Sequence, residues 1–279
     1  MLVKIEEINV RGNKALEDTS YFCSGFSFVL DGASSLIKTK ITDYESDPQW
    51  LALRFKEEIS KYSIIDSPKA ILHEIMNKLK VEFSNLYADE LTEDMYPSAG
   101  LSLVYEKGED VNIFQLGDCS ILVKFNNGTV KEYANHTITK LDDIAINKMA
   151  EIAKTENIDV ADARSKVNDI LIKHRNYKNK LSGYMILDPT GEGIDRADEY
   201  ILKKDEIDSI LIMSDGFRSC IDTFHMYSDN EAFFDECINH SLSYVCEKLF
   251  KLQDEDEKLN NYPRLKKRDD TTALMIKVK

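Results

Sequence analysis

The sequence predicts an α+β protein: a two-sheet antiparallel β-sandwich with helices flanking both sides. Three observations carry this. Short apolar runs recur along the whole chain, and several are joined by turns too short for a parallel crossover. A pair of amphipathic helical patterns interrupts them early. A polar, helix-patterned stretch, residues 139–182, interrupts them late, and its thin apolar content marks it as an excursion from the sheet framework. One domain over residues 1–279 is the expectation, although a chain of 279 residues, 43% hydrophobic, has material for one large core or two small ones.

Taken in order, Val3, Ile5, Ile8 and Val10 alternate with polar residues and predict a first strand over 2–11. Arg11-Gly12-Asn13 is a turn, and Tyr21–Leu30 is a second strand. Trp50, Leu53, Phe55 and Ile59 place an apolar stripe on a helix over Gln49–Tyr62. Ser67 followed by Pro68 is a helix-start signal, and Ile71, Ile75, Leu79, Phe83 and Leu86 continue it as a second core-facing stripe. Strands follow at Gly100–Tyr105, Val111–Leu116, Ile121–Phe125 and Val130–Tyr133; Asn126-Asn127-Gly128 is a strong hairpin signal between the last two. After the helical stretch, strands resume at Tyr184–Leu187, Tyr200–Lys203 and Ser209–Met213. A helix over Leu242–Leu252 and a strand over Thr271–Val278 close the chain.

Composition excludes several functions. The formal net charge of -14 repels nucleic-acid phosphates, so no nucleic-acid partner is expected. No apolar run reaches 18 residues, so no membrane span is expected. The N-terminus lacks the apolar core of a signal peptide, and five widely spaced cysteines without a C-x-x-C pair suit reduced thiols in a cytoplasm.

The chemistry lies at the ends of four apolar runs. Phe26–Leu30 leads into Asp31-Gly32, Val111–Leu116 into Gly117-Asp118, and Ser209–Met213 into Ser214-Asp215-Gly216. Asp269-Asp270 precedes the last strand. A carboxylate at a strand end is aimed by a rigid element. Hard divalent cations such as Mg²⁺ and Mn²⁺ prefer oxygen ligands, and a neighbouring glycine lets backbone and ion approach closely. Acids gathered this tightly need cations between them, so two or three metal ions are expected if the four converge. Paired divalent ions serve phosphoryl displacement, which makes phosphate-ester hydrolysis the leading reaction class.

The ordered set Glu17-Asp18, Asp31-Gly32, Gly117-Asp118, Ser214-Asp215-Gly216 and Asp269-Asp270-Thr271 resembles the metal-dependent Ser/Thr protein phosphatases of type 2C, of bacterial type. The resemblance spans essentially the whole chain. It implies that family's β-sandwich and a Ser/Thr phosphoprotein substrate. Asp31 would bridge two Mg²⁺ or Mn²⁺ ions, one of them also held by the Gly32 carbonyl. Asp215 and Asp269 would bind the other ion. Glu17 and Asp18 would hold metal-bound waters, and Asp118 with Asp215 would support a third, weaker ion. A bridging hydroxide would attack phosphorus directly. Residues 139–182 would match the family's substrate-selecting flap. Three positions depart from the pattern, one of them the family's Gly-Asp-Ser-Arg turn, which appears as Gly117-Asp118-Cys119-Ser120. The family's Asp-Gly-His-Gly-Gly appears as Asp31-Gly32-Ala33-Ser34-Ser35, without the histidine that serves as acid, and its phosphate-gripping arginine falls at Asn13. Arg11, Lys14 and, in the flap, His174 and Arg175 are the candidates to replace that arginine. The alternative reading is a non-catalytic regulator that keeps the phosphatase fold and binds a partner.

Overall fold

The computed structural model describes residues 1–12, 14–36 and 39–279. The strands are β1 (Leu2–Val10), β2 (Thr19–Phe22), β3 (Phe26–Ala33), β4 (Ser98–Lys107), β5 (Asp110–Leu116), β6 (Ser120–Phe125), β7 (Val130–Tyr133), β8 (Asp198–Lys203), β9 (Ile207–Met213) and β10 (Thr271–Val278). They form two five-stranded sheets, ordered β1-β10-β9-β6-β7 and β2-β3-β4-β5-β8. Every pairing between them is antiparallel. The expected sandwich is therefore the observed one.

Alternation along the strands explains why they read as nearly continuous apolar runs. In β3, Val29 points between the sheets, while Phe26, Phe28 and Leu30 join a second core against helices. In β9, Ile210 and Ile212 face the other sheet, and Leu211 and Met213 face helices. Both faces of the central strands are thus buried.

Helices α1 (Asp47–Ile59) and α2 (Pro68–Ser84) cover the β2-β8 sheet. Ser46 caps α1 through the Gln49 amide, and Pro68 starts α2 as expected. Two stripe positions are corrected: Leu53 is 44% exposed because it lies where α1 turns away from the sheet, and Leu86 is 52% exposed because α2 has already ended at Ser84. Leu51, Leu72 and Met76 take up core positions instead. The other sheet is covered by α6 (Asp215–Asp222), α7 (Asn230–Asn239) and α8 (Leu242–Glu255). The stretch at 139–182 holds α3 (Thr137–Glu156), α4 (Val160–Ala163) and α5 (Asn168–Arg175). Ala145, Met149, Ala163 and Leu171 give it a small apolar cluster of its own, into which Leu259 packs.

Two strand expectations fail. Tyr21–Leu30 is two strands, because the Cys23 amide turns back onto the Phe26 carbonyl at 2.9 Å. Tyr184–Leu187 makes only isolated bridges, Lys178 to Tyr184 and Ala99 to Leu187. Its backbone clasps the ends of β4 and β5 through Ala99 and Gly117 instead of extending a ladder. No helix among the described residues is long and apolar enough to cross a membrane.

Candidate active site

The two sheets deliver their acids to one cavity of about 310 Å³. Asp31 and Gly32 come from β3, Asp118 from the β5–β6 turn, Asp215 from the start of α6, and Asp269 from the approach to β10. The helical stretch at 139–182 supplies Asp142 from α3, and His174 and Arg175 from α5. Asp31 is a strand residue rather than a strand end: β3 runs on to Ala33, and Asp31 pairs with Gly100 of β4.

Close backbone packing places these acids. Gly117 has φ +81°, and a methyl group there would lie 2.6 Å from the Gly100 Cα. Only glycine allows this turn, which aims Asp118 into the cavity. A methyl on Gly32 would meet the Glu17 carbonyl oxygen at 2.5 Å, so Asp31-Gly32 and Glu17-Asp18 lie back to back. Ser214 joins β9 to β10: its hydroxyl accepts from the Thr272 amide at 3.0 Å, and its own amide donates to the Thr272 carbonyl at 2.9 Å.

Asp270 has a separate task. Its carboxylate accepts from the Gly12 amide at 2.9 Å and the Glu17 amide at 2.7 Å, and it is buried. It therefore pins the β1–β2 connection against the start of β10. Asp269, beside it, faces the cavity. Its Oδ1 accepts from the Lys266 ammonium at 2.8 Å and from the Asp270 amide at 3.0 Å.

The carboxylates perturb one another. Burial, then the charges of Asp18, Asp118 and Asp269, pushes Asp31 well above the usual carboxylate range. Withdrawal from bulk water raises Asp215 in the same way, reinforced by Asp31, Asp269 and Asp118. Asp118 is raised by burial, against the opposing effect of its own amide. Burial and then Asp118 push Asp142 up to about 7. Glu17 is raised by burial, although the Ser34 hydroxyl donates to it.

Among the described residues, no three Asp, Glu, His or Cys side chains are gathered tightly enough to hold an ion as they stand. The Lys266 ammonium, 2.8 Å from Asp269 Oδ1, offsets part of the negative charge that cations were expected to offset alone. The donor set nevertheless fits a hard divalent cation. All the convergent acids offer oxygen, and Asp18 Oδ2 is buried with no hydrogen-bond partner. A buried carboxylate oxygen left unmatched is costly unless a ligand or water meets it.

The proposed phosphate-binding cations separate. Arg175 lines the cavity, with Nη2 3.2 Å from the Ser34 carbonyl oxygen and Nη1 3.4 Å from Ser98 Oγ. Arg11 instead pairs with Glu45 at 3.2 Å on the surface. Neither Arg11 nor Lys14 is among the described residues that line the cavity. Asn13 lies outside the described residues. Lys266, Asp142, His136 and Tyr184 also line the cavity and were not singled out from the sequence. The run Lys266-Lys267-Arg268 directly before Asp269 carries no local mark that sets the first of them apart from a surface lysine.

With this geometry in view, the comparisons are specific. The model of the protein phosphatase 2C family matches residues 23–251. The chain belongs to that family. Glu17, Asp18 and Asp269 fall outside the matched span. Among solved structures, PppA of Pseudomonas aeruginosa, described as a key regulatory component of T6SS, superposes with a TM-score of 0.57 at 14% identity, covering 100% of this chain and 98% of that one. The serine/threonine phosphatase PstP/Ppp of Mycobacterium tuberculosis gives 0.57 at 12%, covering 100% and 99%. Its catalytic domain in complex with two manganese ions gives 0.56 at 12%, covering 99% of each chain. The serine/threonine phosphatase Stp1 of Staphylococcus aureus gives 0.54 at 13%, covering 98% and 94%. At these identities the superpositions show a shared fold. No curated protein sequence matches the chain.

Proposed function

We propose that the chain is a metal-dependent phosphomonoesterase acting on phosphoserine or phosphothreonine in proteins, with Asp31, Asp215 and Asp269 as its essential acids. One observation carries the reading: four acids drawn from distant parts of the chain line a single cavity that Arg175 also enters. Asp31, the Gly32 carbonyl, Asp215, Asp269 and Asp118 would hold two divalent cations and a third, weaker one, with Glu17 and Asp18 behind them. Bound there, such cations supply a Lewis acid that activates water and offsets charge on the phosphoryl oxygens. Arg175 is placed to pair with those oxygens, and its planar fork suits them. Ala33 gives β3 no proton donor where the family has histidine. Asp142, which titrates near neutrality, stands in the same cavity and could carry a proton. The flap would set which phosphoprotein enters. No helix among the described residues is long and apolar enough to cross a membrane, and the reading needs none.

A second reading has one observation in its favour. Lys266 already offsets part of the acidic charge, as in a regulator that keeps the fold without turnover. Hydrolysis of an aryl phosphate with Mn²⁺ separates the two. The enzyme reading expects manganese-dependent turnover that Asp215→Ala lowers at least about 10²-fold, the scale on which a catalytic centre loses an essential group. No turnover by the intact chain supports the regulator. A panel of phosphopeptides and phosphorylated metabolites then tests the substrate class.

A further inference from the structure

The acidic cavity contains a cation supplied by the chain itself. Lys266 Nζ lies 2.8 Å from Asp269 Oδ1. The charges of Asp269, Asp215 and Asp31 favour its charged form against the cost of burial. Lys266 also acts on Glu17, Asp118 and Asp142, so one ammonium serves acids from both sheets and from the flap. Lys267 and Arg268, its neighbours, point elsewhere: Lys267 pairs with Glu257, and Arg268 with Asp254. Asp269 Oδ1 accepts from Lys266 and from the Asp270 amide, so the ammonium sits on the carboxylate at the place where a cation would approach that oxygen.

We propose that the Lys266 ammonium fills one cation position of this cavity, and that a divalent ion binding to Asp215 and Asp269 must displace it. The inference rests on the reading of the cavity as a metal centre. The ammonium is a compact point charge on a flexible four-carbon stem, so it can leave without moving the backbone. Its side chain retains 32% exposure, which gives it a path out to water. While it stays, the metal-free cavity is held together at reduced repulsion. When it leaves, its hydrogen bond and its charge are both forfeited, and divalent affinity falls by that amount. Lys266 thereby sets the threshold of divalent-ion concentration at which the site fills.

The test is Mn²⁺ titration of the full chain by calorimetry, with the wild type beside Lys266→Met, Lys266→Arg and Lys267→Met, together with melting temperatures in EDTA. Lys266→Met is expected to bind Mn²⁺ at least about tenfold more tightly or to take up an additional ion; tenfold corresponds to 1.4 kcal/mol. Without metal it should melt below the wild type. Lys266→Arg and Lys267→Met should stay close to the wild type in both measurements. A second readout does not depend on any variant folding: acetylation of Lys266 in the wild-type chain, followed by mass spectrometry, should speed up when Mn²⁺ is added. Mn²⁺ affinity and stoichiometry of Lys266→Met within twofold of a wild type that binds would overturn this inference alone. So would a Lys266 acetylation rate unmoved by bound Mn²⁺. No binding to either protein overturns both the inference and the metal-centre reading beneath it.

Discussion

Two adjacent aspartates illustrate how residue identity hides role. Asp269 and Asp270 read alike as a pair of acids before a strand. In the fold, one faces the cavity and the other accepts two backbone amides from a connection more than 250 residues earlier in the chain. Replacing Asp270 by alanine leaves the Gly12 and Glu17 amides without their acceptor in a region closed to water. A loss of about 2–4 kcal/mol is expected, since each orphaned donor costs roughly 1–3. Urea unfolding measures it; a loss under 1 kcal/mol would mean that solvent or another group replaces the carboxylate. The four cavity acids were legible because each sits beside a glycine or at the edge of an apolar run. Lys266 was missed because a surface lysine is the ordinary reading of Lys-Lys-Arg, and nothing local says that its stem turns inward.

At the scale of elements, most strands and the first two helices were readable, since alternation and helical spacing reflect burial directly. The exceptions have physical causes. Helix α6 was hidden by Ser214-Asp215-Gly216, which reads as a turn but here opens a helix whose apolar side packs on the sheet. Helix α7 was passed over although Asp229 caps it through the Ala232 amide at 2.8 Å and Phe233, Phe234 and Cys237 form its buried side. The run at 184–187 has strand composition, but its hydrogen bonds go to the ends of β4 and β5. Helix α1 gives a sharp test of what its stripe buries. Phe55 is fully buried, with its ring 5.2 Å from that of Phe28, whereas Leu53 is 44% exposed. Phe55→Ala should cost about 3–5 kcal/mol. Leu53→Ala should stay within about 0.5 kcal/mol. Equal losses in chemical denaturation would refute this assignment of the helix face.

For the molecule as a whole, the acidic cavity makes stability depend on pH with a definite sign. Asp142 titrates at about 7 in the folded chain, against the ordinary carboxylate value near 4 once unfolded. Between those values the folded state holds a proton that the unfolded state has released, so stability falls as pH rises through that window. Glu17, Asp18, Asp31, Asp118 and Asp215 are shifted in the same direction and add to it. The metal-free chain should therefore melt at a higher temperature at pH 5.5 than at pH 8, and Asp142→Asn should narrow the gap. A melting temperature that climbs with pH in EDTA would contradict the clustering of acids itself. The sequence disclosed the acids and their order, but the size of this penalty depends on distances that only the packed sheets set.

The edge strand β1 pairs with β10, and the pinning contact of Asp270 ties the start of β10 to the loop that follows β1. A chain truncated before residue 269 keeps the other acids of the cavity yet loses the strand that pairs with β1 and the latch on Glu17. Such a fragment has its basin open on one side. During synthesis, then, the cavity lacks the wall that carries Asp269 until Thr271–Val278 slots into the sheet, and any chemistry housed there waits for that pairing.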